Sequence, residues 1–160
     1  MLRSTFALIL IIFGTMARSQ EINYEQKAFD HFFAEVYKTK FADASKIQFS
    51  GHTQKELTRF ELGNVCFAGE KDLRKLLYDS AVGISKSEKE INVTRVKGVN
   101  FKTRQVHSKL TLYENQANRV GDHVYVLISL YRIHSDIYYY YFDMGVDGHI
   151  IRWCESGAIQ

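Results

Sequence analysis

Residues 123–154 read HVYVLISLYRIHSDIYYYYFDMGVDGHIIRWC, and three strands can be drawn through them. The run 123–133 is apolar on both of its alternating faces, as a strand in the middle of a sheet is. The run 137–144 (IYYYYFDM) is aromatic and suits a pleated surface. Asp147-Gly148 supplies a type I′ turn signal, and 149–154 (HIIRWC) returns from it. Upstream, Val106, Ser108, Leu110 and Leu112 alternate with His107, Lys109, Thr111 and Tyr113. Before them, 91–104 carries alternating β-branched residues interrupted at Gly98, and 115–122 is turn-like. The C-terminal half is therefore expected to be a run of hairpins.

Toward the N-terminus the period changes from 2 to 3.6. From residue 23 to about 40, Phe29, Phe32, Phe33, Val36 and Tyr37 fall on one helical stripe, with Asn23 as N-cap and Gln26 three residues on. The run 46–50 (KIQFS) is a short candidate strand before Gly51. Thr53-Gln54-Lys55-Glu56 matches a capping box, so 54–62 is a short helix or a strand. Leu73, Leu76, Leu77 and Ala81 form a second stripe over 70–81. Helices first and hairpins after predict an α+β fold, with N-terminal helices on a curved antiparallel sheet of about four to six strands.

The stripe from Phe29 to Tyr37 and the closing hairpin resemble the nuclear-transport-factor-like and cystatin-like α+β superfamily. In the hairpin, Tyr138-Tyr139-Tyr140-Tyr141-Phe142-Asp143 leads through Asp147-Gly148 to His149-Ile150-Ile151-Arg152-Trp153. The resemblance implies a helix lying in a strongly curved, cone-like sheet. It implies no activity, because that fold hosts enzymes and inert binders alike.

Arg3, the apolar run FALILIIF at 6–13 and the small-x-small site Ala17-Arg18-Ser19 read as a signal peptide over 1–19, cleaved between Ser19 and Gln20. The run is too short for a bilayer span, which needs about 20 apolar residues. The expected product is one α+β domain, 20–160, secreted or periplasmic, with no membrane span. Removing Arg3 and Arg18 leaves 19 basic residues against 18 acidic ones, a net charge of +1, so nucleic acid is not the expected partner. In an oxidising compartment Cys66 and Cys154, the two cysteines of the chain, form a disulfide or stay as two buried thiols. Asn92-Val93-Thr94 is a glycosylation acceptor in a eukaryotic host.

The templates for chemistry fail one after another. None of the six histidines sits in HExxH and there is no CxxC. A calcium loop starting at Asp143 would need a glutamate where Cys154 stands. No GxSxG, SxxK or phosphate-cradling glycine loop is present, so no metal and no cofactor is expected. His107, Asp122, His123, His134, Asp136 and Asp143 are the ionisable groups on strands or at their ends that a helix–sheet pocket would recruit for general acid–base work. Asp143, on the face of Ile137, Tyr139 and Tyr141, is the weak catalytic candidate; at a strand end it is read as facing solvent.

Within the tyrosine run, Tyr138 and Tyr140 point one way and Tyr139 and Tyr141 the other. One pair is expected on the helix stripe with Phe29 and Phe33. The other would stand outward, rings about 7 Å apart, as a platform for a sugar, peptide or base. Trp153 completes the candidate binding set, and Arg95, Lys97, Lys102, Arg104 and Lys109 are basic residues that would join it. Thr94-Arg95-Val96-Lys97-Gly98 is similar to the Gln-x-Val-x-Gly hairpin loop of cystatin-type inhibitors, with Thr94 in place of the glutamine. The expected function is a non-catalytic binding or accessory protein for a small molecule, glycan or protein. The alternative is an isomerase- or hydratase-like pocket enzyme, and the third reading a cystatin-like inhibitor.

Overall fold

The structure, a computed structural model, describes residues 21–41, 44–54, 82–83, 88–103, 110–132 and 136–159. The expected signal segment, the stripe at 70–81, nearly all of 54–62, and Cys66, Arg104, His107, Lys109 and His134 lie outside the described residues.

The helix begins where its cap predicts. Asn23 Oδ1 accepts the amide of Gln26 at 2.9 Å, and α1 (Tyr24–His31) follows. It runs on through a π-helical turn, Phe32–Tyr37, into α2 (Lys38–Lys40). A π turn is wider than an α turn. Here it seats two pairs of bulky neighbours, Phe32 with Phe33 and Val36 with Tyr37, on the buried face, and all five stripe residues are buried.

Among the described residues, eight strands form one sheet: β1 (Lys46–Gln48), β2 (Val82–Gly83), β3 (Asn100–Lys102), β4 (Leu110–Glu114), β5 (Asn118–Val120), β6 (His123–Arg132), β7 (Asp136–Gly145) and β8 (Ile150–Ile159). The spine is β6, with β7 and then β8 along one edge. On its other edge β5 and β4 follow end to end, and β2 pairs with β5. Beyond β4 lie β1 and β3, and β1 runs parallel to both. Among the described residues the sheet is therefore mixed, with eight strands, which corrects the expected antiparallel sheet of four to six. Strands of two or three residues carry no readable period, and their direction is set by the path of the chain.

Two further corrections have local causes. The expected strand over 91–104 forms only at its end, because Asn92 Oδ1 accepts the Thr94 amide at 3.1 Å and starts a 3-10 turn, Val93–Arg95. The cystatin-like pentapeptide thus lies in a turn and bend before β3, not at the tip of an antiparallel hairpin. The turn-like stretch 115–122 contains β5. Between Glu114 opposite Ile128 and Asn118 opposite Tyr125 the register slips by one residue, which bulges the chain at 115–117.

The closing hairpin holds, with a different turn. Gly145 N donates to His149 O at 2.9 Å and Gly148 N to Gly145 O at 2.8 Å. Gly148 has φ +78°. This is a three-residue loop ending on a left-handed residue, not a two-residue type I′ turn. Tyr24 ties the helix to it by donating to Val146 O at 2.6 Å.

Aromatic rings fill the space between helix and sheet. Phe29 meets Phe49 at 5.6 Å, Phe33 meets Phe101 at 5.3 Å, and Phe32 meets Tyr140 at 4.9 Å between centroids. A second buried cluster, Tyr125, Leu127, Ile137, Tyr139 and Tyr141, lies on the opposite face. Both faces of β6 and β7 are thus buried, as the unbroken apolar run of β6 required.

Candidate functional site

The tyrosines do not form an outward platform. Tyr139 and Tyr141 are 5% and 1% exposed. Tyr140 packs under Phe32, and burial pushes its hydroxyl well above the usual tyrosine value. Tyr138 is half-buried against Phe41, with centroids 5.3 Å apart, and its hydroxyl donates to Asp136 at 3.1 Å. The expected ring partners Phe29 and Phe33 turn instead to Phe49 and Phe101. Trp153 alone of the binding set is exposed, at 39%. Of the described basic residues, Lys102 lies on β3, four strand steps from β7. Arg95 pairs with Asp30 at 2.9 Å beside the helix.

Asp143 overturns its own expectation. It is fully buried, not solvent-facing, and it lies on the face away from the helix. The topology explains this. Tyr125, Asp143 and Arg152 sit opposite one another across β6, β7 and β8. After that pair the register shifts, and Met144 opposes Ile150. Arg152 Nε donates to Asp143 Oδ2 at 3.0 Å. His123, opposite Gly145, sets Nδ1 2.7 Å from Asp143 Oδ1. Both carboxylate oxygens are thereby engaged, which is the condition on which a carboxylate tolerates burial. The His123 and Arg152 side chains are 44% and 42% exposed. The imidazole lies over Tyr125, with 6.1 Å between centroids and 14° between planes.

This arrangement has two chemical capacities. A carboxylate on Nδ1 holds an imidazole in one orientation and tautomer and leaves Nε2 to exchange protons. The guanidinium of Arg152, joined by the imidazole when both its nitrogens carry protons, also presents donors to an anionic oxygen. Asp122, Asp136 and the His149–Asp147 pair take no part in it. Asp122 is exposed, Asp136 accepts from Tyr138, and His149 Nδ1 sits 2.5 Å from Asp147 Oδ1 on the surface. No group of three or more metal-ligating side chains occurs among the described residues.

Two buried carboxylates that sequence reading passed over lie beneath the helix. Glu25 Oε1 accepts the Ala117 amide at 3.0 Å, satisfying the N–H that the bulge leaves unpaired. Its Oε2 is 3.6 Å from Lys89 Nζ. Glu114 is fully buried and neither of its oxygens has a hydrogen-bond partner. Burial, reinforced by the charges of Glu25 and Asp30, holds its carboxyl well above the usual carboxylate range. The signal for both was periodic: Glu25 precedes Phe29 by one helical turn, and Glu114 continues the Leu110, Leu112 face.

Of the expected cysteine pair only Cys154 is among the described residues, half-buried on β8. Among the described residues no helix is long and apolar enough to cross a membrane. No protein-family model matches this chain, and neither a curated protein nor a solved structure matches it.

Proposed function

We propose that this chain is an exported binding or accessory domain, secreted or periplasmic after loss of residues 1–19. It would be built on the cone-like plan of the nuclear-transport-factor-like and cystatin-like proteins, and would hold an anionic group of its ligand at the His123–Arg152 corner. The observation that carries the reading is Asp143: wholly buried, yet aiming one partly exposed histidine and one partly exposed arginine outward from adjacent positions. The rings packed between helix and sheet turn the reading away from an interior pocket and toward this surface. Titration of the 15N-labelled protein with acetate and with inorganic phosphate tests it. Saturable shifts confined to His123, Arg152 and their strand neighbours, abolished by His123→Ala, support the corner as a binding site. Shifts that are absent, or spread evenly over the surface, end that proposal.

A second reading, the isomerase- or hydratase-like enzyme, is favoured by the 2.7 Å contact between Asp143 and His123. It moves the general base from a helix–sheet pocket to the opposite face. Incubating apolar ketones with the protein in heavy water would show exchange of their α-protons that depends on His123. Equal exchange by the wild type and His123→Ala removes the enzyme reading and leaves the binding one untouched.

A further inference from the structure

We infer that Asn92 is an N-glycosylation site, and that the fold is shaped to carry the sugar without rearrangement; the inference rests on the export reading for its compartment. Asn92-Val93-Thr94 is the single Asn-x-Ser/Thr sequence in the chain. In the folded protein it stands at the start of the exposed 3-10 turn, and both Asn92 and Thr94 are exposed.

Every polar atom of Asn92 except one is engaged. Its amide N–H donates to Gln26 Oε1 at 2.7 Å, and its carbonyl accepts from Gln26 Nε2 at 3.4 Å. Its side-chain oxygen accepts the Thr94 amide at 3.1 Å and the Thr94 hydroxyl at 2.6 Å. The side-chain nitrogen, Nδ2, is the atom left over, and it is the atom that glycosylation substitutes. Adding a sugar there breaks none of these bonds. Beside it runs an open groove of about 490 Å³ lined by Glu21, Ile22, Lys27, Glu90 and Arg95. Its mixture of charged donors and acceptors with one aliphatic side chain suits the first sugar rings.

The step needs a lipid-pyrophosphate-linked oligosaccharide as donor. A bond forms between Nδ2 and the sugar's anomeric carbon. The bond from that carbon to phosphate breaks, its electron pair leaving with the lipid pyrophosphate, and Nδ2 gives up one proton to the transferase.

The full chain is expressed in eukaryotic secretory cells in two forms, one with its own residues 1–19 and one with an unrelated leader in their place. With the unrelated leader, the secreted protein is expected to carry an oligosaccharide mass that peptide-N-glycosidase removes, leaving Asp at position 92. Thr94→Ala should lose that mass and Thr94→Ser keep it, a pair that separates acceptor chemistry from misfolding. The glycosylated and enzymatically stripped forms should give the same near-ultraviolet circular dichroism. Secreted protein unmodified at Asn92 overturns the inference, and so does a spectrum that changes on stripping. Glycan on the unrelated-leader form alone would refute export by residues 1–19 while leaving the Asn92 site standing.

Discussion

Replacing Glu114 with glutamine should make stability less dependent on pH, and the size of the effect follows from where the carboxyl sits. Glu114 is enclosed between helix and sheet, has no hydrogen-bond partner, and feels the negative charges of Glu25 and Asp30. Its folded value is therefore raised above the ordinary 4.5. A raised acid binds its proton more tightly in the folded state. Its contribution is thus fully present below the unfolded value and is lost as pH climbs toward the folded one. Each pH unit inside that window costs the wild type about 1.4 kcal/mol. Glutamine has the same shape and does not titrate. Between the unfolded and the folded value the variant should gain on the wild type by about 1.4 kcal/mol for each pH unit. At the acid end the two should lie within about 1–2 kcal/mol, since the neutral acid and the amide each bury an unpaired donor. Urea unfolding followed by circular dichroism across this range provides both curves. Parallel curves would show that Glu114 is not desolvated in the folded state, and would refute the reasoning.

Three other outcomes are expected. Tyr140→Phe removes a buried hydroxyl that lacks a partner, so equilibrium unfolding should show no loss and a gain of up to about 1 kcal/mol. Gly148→Ala forces a side chain into φ +78°, where its Cβ would come within 2.8 Å of Ile22, and should lower stability by about 1–3 kcal/mol in the same assay. Mass spectrometry of the chain, alkylated with and without prior reduction, separates the two readings of Cys66 and Cys154: a bridge leaves both unlabelled until reduction, and two thiols label without it.

The residues on long periodic segments told their places in advance. Asn23 and the stripe from Phe29 to Tyr37 define the helix. The strands β6 and β7, ten residues each, and the first half of β8 follow from alternation or unbroken apolarity that a pleated strand accommodates, while β8 runs on to Ile159, beyond the expected 149–154. The α+β class came from the same signals. What the chain alone did not disclose was relation between segments. Asp143 reads as a solvent-facing strand end until the register sets Arg152 opposite it and His123 diagonally within reach. One pair of the tyrosine run reads as standing outward until the second face of β7 is seen to be buried as well. Glu25 reads as an acidic residue in the first turn of a helix until the bulge at 115–117 supplies an amide for it. Periodicity is a local property, fixed by the geometry of one helix or strand, and a sequence states it directly. Register, bulges and pairing direction depend on which distant residues compete to be buried together. Only the folded chain decides that competition, and the His123–Asp143–Arg152 corner is one of its results.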